Sequence, residues 1–138
     1  MTNLAVRRDI TINYEGMWRM QVIIADDQPE VRSALKLILE EKPGVVVANE
    51  AGTSCDLLKQ IKANCPELVL LDWELPGTNP AELISILRTQ CPHLLVVALS
   101  SRPQMRKIAL EAGAHDFVCK SDPPELLFAA LDKCSGLS

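Results

Sequence analysis

Asp26, Asp27, Asp72, Ser100 and Lys120 share a feature of position, since each follows a short run of apolar residues. The aspartate pair follows Gln21-Val-Ile-Ile-Ala25, Asp72 follows Leu68-Val-Leu-Leu71, Ser100 follows Leu94-Leu-Val-Val-Ala-Leu99, and Lys120 follows Phe117-Val-Cys119. A single aspartate in such a place is ordinarily a cap or a loop residue. Gathered together, three carboxylates repel by ~3 kcal/mol per pair at ~5 Å and an effective dielectric of about 20, so the group demands positive charge. Lys120 supplies one charge. The remainder suits a hard divalent cation held by oxygen and keeping several waters, Mg²⁺ with Mn²⁺ as the alternative, rather than zinc. Cation, lysine and hydroxyl together can hold a phosphoryl group while an aspartate oxygen attacks phosphorus in line, which predicts a covalent aspartyl phosphate.

That chemistry depends on elements that deliver all five residues to one edge. Short apolar runs alternate with stretches of helical period along the chain. After Asp27, Val31, Ala34, Leu35, Ile38 and Leu39 recur at three- and four-residue steps, with Pro29 suited to a first helical turn. Val45-Val-Val-Ala48 forms the second strand, and Leu57, Leu58 and Ile61 mark a helix that Thr53 or Ser54 caps. Pro80 opens a helix on Leu83, Ile84 and Leu87, and a helix with Met105, Ile108, Ala109 and Ala112 stops at Gly113. In the last helix Ser121 or Asp122 is the cap, Pro123 and Pro124 fill the first turn, and Leu126, Leu127, Ala130 and Leu131 face inward. Strands apolar throughout are buried on both faces, and their alternation with helices predicts a parallel sheet in a three-layer α/β sandwich. Such sheets bind ligands beyond the carboxyl ends of their strands.

Composition sets the outer limits. A chain of 138 residues with 48% hydrophobic and 23% charged residues can build one core without metal staples. A formal charge of −4 provides no basic face for nucleic acid. No apolar run approaches a membrane span of ~18–20 residues, and Asp9, Asn13 and Glu15 interrupt the segment after Arg7 and Arg8, so a cytoplasmic protein is expected. The five cysteines, Cys55, Cys65, Cys91, Cys119 and Cys134, form no Cys-x-x-Cys pair and read as separate small buried or half-buried thiols in a reducing compartment. In the first nineteen residues, Ile10, Ile12 and Tyr14 alternate with polar residues like a short strand.

The Asp26-Asp27 pair, Leu-Leu-Asp72-Trp-Glu-Leu-Pro76-Gly77, Ala-Leu-Ser100-Ser101, Glu-Ala-Gly113-Ala and Phe117-Val-Cys-Lys120, in this order, resemble the response-regulator receiver domain of two-component signalling. The resemblance covers about residues 20–133 and divides the chain into an N-terminal extension, 1–19, of unassigned role and a receiver domain, 20–138. It implies a flavodoxin-like, doubly wound (βα)5 fold with five parallel strands in the order 2-1-3-4-5. It also implies that Asp72 is the phosphoacceptor and that Asp26, Asp27, Asp72 and the backbone carbonyl of Glu74 ligate the metal. Ser100 and Lys120 would contact the phosphoryl group, and Phe117 would be the switch aromatic that turns inward as Ser100 moves. Read without the resemblance, Phe117 is plain core, Trp73 covers the sheet edge, and His93 and His115 are loop or surface residues. The chain departs from the family at Lys120-Ser121, where lysine–proline is usual. A retained cis bond there would cost ~2.5–4 kcal/mol. The stretch from Ser100 to Gly113 is also short for the family, and Asn79-Pro80 stands where Asp-Gly or Asn-Gly is frequent.

The resemblance implies a phosphorylation switch rather than an enzyme, with chemistry limited to its own phosphorylation and dephosphorylation. Its partners would be a sensor histidine kinase or phosphotransfer protein and a downstream protein or output domain. Neither nucleic acid nor membrane is bound directly, and a homodimer would form through the fourth helix, fifth strand and fifth helix. The chain reads as a stand-alone receiver or as the receiver of a longer transcriptional regulator. The competing readings are a small Mg²⁺-dependent phosphatase with an aspartate nucleophile, Glu74 serving as its second acid, and an interaction module independent of phosphorylation.

Overall fold

Strands apolar on every residue must be covered on both sides, and the fold meets this requirement with helices above and below one sheet. The computed structural model describes residues 11–12 and 18–135. The elements are β1 (Thr11–Ile12), β2 (Trp18–Ala25), α1 (Pro29–Glu40), β3 (Val45–Ala51), α2 (Ser54–Ala63), β4 (Leu68–Asp72), α3 (Pro80–Gln90), β5 (Leu95–Ser100), α4 (Met105–Glu111), β6 (Asp116–Cys119) and α5 (Pro124–Ser135). Strand β2 pairs in parallel with β3 and β4, β4 with β5, and β5 with β6. Counted among themselves in chain order, the five parallel strands lie 2-1-3-4-5, the flavodoxin-like arrangement expected. The alternating segment near the N-terminus contributes β1, antiparallel to the start of β2, while residues 1–10 and 13–17 lie outside the described residues.

Alternate strand residues serve two cores. Ile23, Ala25, Val69, Leu71, Val96 and Ala98 pack with Leu57, Ile61, Leu83, Ile84 and Leu87 from α2 and α3. Val22, Ile24, Leu68, Leu70, Val97 and Leu99 pack with Leu39, Leu127, Ala130 and Leu131 from α1 and α5. Thr53 caps α2 by accepting the Asp56 N–H at 3.1 Å, and Asn79 caps α3 by accepting from Ala81 and Glu82.

Several expectations are corrected. Asp122 does not cap α5: its Oδ2 accepts the Cys119 N–H at 3.0 Å while its own N–H donates to the Cys119 carbonyl at 3.0 Å, closing the turn that carries Lys120. Leu126 faces outward at 48% exposure, and Ala34 is also exposed, because each helix covers the sheet with a narrower stripe than its apolar pattern suggests. Among the described residues every peptide bond is trans, so Ser121 bears no cis bond. Cys65 and Cys91 are not separate thiols but a disulfide, with Cα atoms 6.0 Å apart, because the loops that carry them enter the adjacent strands β4 and β5. Cys55 is exposed rather than buried.

The loop after Asp72 is held by Ser54, whose N–H donates to the Pro76 carbonyl at 3.0 Å and whose Oγ accepts the Thr78 N–H at 2.9 Å. Gly77 crosses this hydroxyl at φ 115°, and a Cβ there would stand 2.0 Å from Ser54 Oγ. Gly77→Ala therefore meets both backbone strain and a clash, and it should lose ~1–3 kcal/mol, read as a Tm roughly 3–12 °C lower. An unchanged Tm would contradict this account of the loop.

Candidate functional site

The parallel sheet sends every strand's carboxyl end to one edge, and the backbone ladder continues past the strand ends to seat the polar residues there. The Asp26 N–H donates to the Ala51 carbonyl at 2.9 Å, the Trp73 N–H to the Leu99 carbonyl at 2.7 Å, and the Lys120 N–H to the Ser100 carbonyl at 2.9 Å. One carboxylate oxygen from each of Asp26, Asp27 and Asp72 falls within a 4.8 Å span. Lys120 Nζ lies 2.7 Å from Asp26 Oδ2 and 3.4 Å from Asp72 Oδ2. Asp26, Asp72 and Ser100 are buried and Asp27 is exposed, so the cluster opens to solvent on one side.

Each buried carboxylate has one oxygen satisfied by backbone. Asp26 Oδ1 accepts the Gln28 N–H at 2.9 Å, and Asp72 Oδ1 accepts the Glu74 N–H at 3.0 Å. Arg32 steadies the turn by donating to the Asp26 carbonyl at 2.7 Å while pairing with Glu50 at 3.0 Å. Asp26 Oδ2 is buried, and among the described residues the one positive group facing it is Lys120, at 2.7 Å in an imperfectly aligned contact. Three carboxylate oxygens gathered within 4.8 Å and facing a single ammonium fit a hard divalent cation such as Mg²⁺ or Mn²⁺.

The electrostatics follow from burial. Removal from water raises the Asp72 carboxyl above its ordinary range. The Glu74 N–H and Lys120 pull it back down, the Asp26 charge adds to the rise, and burial prevails. Burial also pulls Lys120 down, but the Asp26 contact and the Asp72 and Asp26 charges outweigh it and hold the ammonium above its usual value.

Ser100 and Glu74 meet in a way not read from the sequence. Ser100 Oγ lies 3.0 Å from Glu74 Oε2 and donates to that carboxylate, while accepting the Arg102 N–H at 3.0 Å. Arg102 Nη2 in turn donates to Glu74 Oε2 at 2.8 Å. The contact follows from the register of β4 and β5, in which Asp72 stands opposite Leu99, so that residues just beyond them become neighbours; no sequence signal gives that register. Phe117 is already inside the core at 2% exposure, with the Arg106 guanidinium carbon 5.3 Å from its ring centroid and Arg106 Nη2 donating to the Phe117 carbonyl at 3.0 Å. Trp73 is buried in the core beneath the site rather than lying over the sheet edge. His115 is half-buried rather than superficial, and its Nδ1 accepts the Val96 N–H at 3.0 Å.

The sequence matches the family model of the response regulator receiver domain over residues 22–132. It is similar to the transcriptional activator protein ExaE of Pseudomonas putida, 32% identical over 114 residues, which are 81% of this chain and 53% of that protein. It is also similar to the nitrate/nitrite response regulator protein NarL of Escherichia coli, 28% identical over 116 residues, 83% of this chain and 54% of that one. The chain thus spans about half the length of these curated relatives. Among solved structures, it is similar to a two-component response regulator of the LuxR family from Aurantimonas sp. SI85-9A1, with a TM-score of 0.79, 25% identity and 86% of each chain covered.

A carboxyl whose folded pKa is raised contributes stability that is present below its unfolded value, 3.8 for Asp72, and is lost as the pH rises through the folded value. At pH 7 the ionised Asp72 therefore opposes folding. Asp72→Asn should raise the Tm of the metal-free protein by roughly 2–6 °C, and the gap should narrow as the pH is lowered. Thermal melts in chelator across pH measure this, and a Tm at or below wild type would refute it.

Proposed function

Because this chain belongs to the response regulator receiver domain family, we propose that it is a phosphorylation-dependent signalling switch that takes a phosphoryl group from a sensor histidine kinase or phosphotransfer protein onto Asp72. The observation that carries this reading is the convergence of the Asp26, Asp27 and Asp72 oxygens within 4.8 Å, with Lys120 Nζ beside two of them. An Asp72 carboxylate oxygen attacks phosphorus, the bond from phosphorus to the donor's histidine nitrogen breaks, and that nitrogen keeps the electron pair. Lys120 moves from pairing with carboxylates to pairing with the phosphoryl oxygens. Asp26, Asp27, Asp72 and the Glu74 carbonyl would hold Mg²⁺ or Mn²⁺, which when bound neutralises charge on the transferring group.

Ser100 has a single hydroxyl proton and gives it to Glu74. To donate to a phosphoryl oxygen it must leave Glu74, so the Glu74–Arg102 pair is the resting partner that phosphorylation displaces. Withdrawal of the Ser100 side chain from Glu74 alters the end of β5 beside β6, the strand that carries Phe117, and the change is read on α4, β6 and α5 by a downstream protein, an output domain or a second copy of this chain. The chain works in the cytoplasm, binds neither DNA nor membrane itself, and performs no chemistry beyond its own phosphorylation and dephosphorylation. Among the described residues no helix is long and apolar enough to cross a membrane.

Incubation with acetyl phosphate and Mg²⁺ followed by intact-mass measurement should give one phosphoryl adduct on wild type, none in chelator and none on Asp72→Asn. Absence of the wild-type adduct, or its persistence in the variant, would sink the assignment; many turnovers on phosphate monoesters would establish the phosphatase instead. Glu74→Ala frees the Ser100 hydroxyl, and since one hydrogen bond contributes ~0.5–1.5 kcal/mol, adduct formation should be about 2–10-fold faster. Equal or slower labelling would show that Glu74 does not restrain Ser100.

A further inference from the structure

At the sheet edge opposite Asp72 the chain carries one short pattern twice, Cys65-Pro66-Glu67-Leu68 and Cys91-Pro92-His93-Leu94. The first leads from α2 into β4 and the second from α3 into β5. Because β4 and β5 are parallel neighbours, with Leu68 opposite Leu95, their entrances lie side by side and the two cysteines meet as a disulfide. The backbone around the bridge has hydrogen bonds of its own. The Cys91 N–H donates to the Leu87 carbonyl at 2.8 Å, Leu94 to Cys91 at 3.0 Å, Leu95 to Glu67 at 3.1 Å and Glu67 to Gln21 at 3.0 Å. Reduction therefore leaves the two thiols close together.

The two cysteines differ in exposure. Cys65 is exposed, whereas Cys91 is 3% exposed, and both border a depression of about 230 Å³ lined also by Pro66, Pro92 and His93. Thiol–disulfide exchange needs an approach to one sulfur, and Cys65 is the residue of the pair that stands at the surface.

We propose that Cys65 and Cys91 form a reversible thiol–disulfide modification site, with Cys65 the exchanging sulfur and Cys91 the resolving one, and with a small-molecule disulfide of the glutathione class as the oxidant. In oxidation the Cys65 thiolate attacks one sulfur of glutathione disulfide, that S–S bond breaks, and one glutathione thiolate leaves. The Cys91 thiolate then attacks the Cys65 sulfur of the mixed disulfide, releasing the second glutathione. Two protein thiols lose two electrons and two protons, and the glutathione disulfide takes up both. Reduction retraces the path, with attack at Cys65 and Cys91 as the leaving thiolate. The bridge ties together the entrances of the strands that end in Asp72 and Ser100, so the oxidation state of the pair sets how firmly the sheet beneath the site is held. This inference stands on the fold alone and does not depend on the phosphorylation reading.

The full chain is equilibrated with glutathione and glutathione disulfide over a series of ratios, quenched in acid, alkylated and mapped by peptide mass. Cys65 and Cys91 should pass together between bridged and alkylated forms, in both directions of the series. Reduction should lower the Tm by roughly 5–15 °C. Cys91→Ala should accumulate glutathione on Cys65, while Cys65→Ala should take it up on Cys91 about tenfold more slowly, with circular dichroism confirming that both variants fold. A bridge that stays closed at every ratio, thiols alkylated independently, an unchanged Tm, or equal glutathione uptake by both variants would each overturn the proposal.

Discussion

Two buried carboxylates facing one ammonium at the end of a parallel sheet are the constraint on which the remaining structure depends. Asp26 and Asp72 are 0% and 1% exposed, and with Asp27 they crowd their oxygens within 4.8 Å. Charges of one sign taken out of water are tolerated only where fixed dipoles and an opposite charge compensate them. Here the Gln28 and Glu74 N–H groups serve one oxygen of each carboxylate and Lys120 faces the others. Each of those compensating groups is held by backbone: Lys120 by the continuing ladder to Ser100 and by the Asp122 turn, Glu74 by the short bend after β4. The two apolar cores beneath give the strands no freedom to drift apart and relieve the repulsion.

Around this pocket the Glu74 and Arg102 side chains that hold the Ser100 hydroxyl are open to water. The Glu74 and Arg102 side chains are 38% and 51% exposed, and an ion pair so open to water contributes little to stability. It is nevertheless enough to occupy the one hydroxyl proton of Ser100. The loop between β4 and α3 is treated differently, since the buried Ser54 and the positive φ of Gly77 fix its course. Attachment on the α2 side thus runs through buried groups, and on the β5 side through an exposed ion pair.

The sheet also separates two chemistries by its length. Its carboxyl edge carries the acidic cluster, at the ends of β2 and β4, and its amino edge carries the Cys65–Cys91 bridge, across the entrances of β4 and β5. The strand that ends in Asp72 is thus restrained at both ends, electrostatically at one and covalently at the other.

The five parallel strands, their helices and the polar residues at their ends were legible in the chain itself, because a strand buried on both faces is apolar throughout and ends abruptly where the chain meets water. For the same reason Asp26, Asp27, Asp72, Ser100 and Lys120 could be named from position alone. Helix faces were read less well: Leu126 and Ala34 fit the apolar period yet face outward, because how much of a helix is covered depends on where its neighbours stop. Contacts between residues far apart in sequence were decided only by tertiary structure. The grip of Glu74 and Arg102 on Ser100 and the Cys65–Cys91 bridge both arise from the register of adjacent strands, and neither composition nor spacing along one chain records which loops that register will bring together.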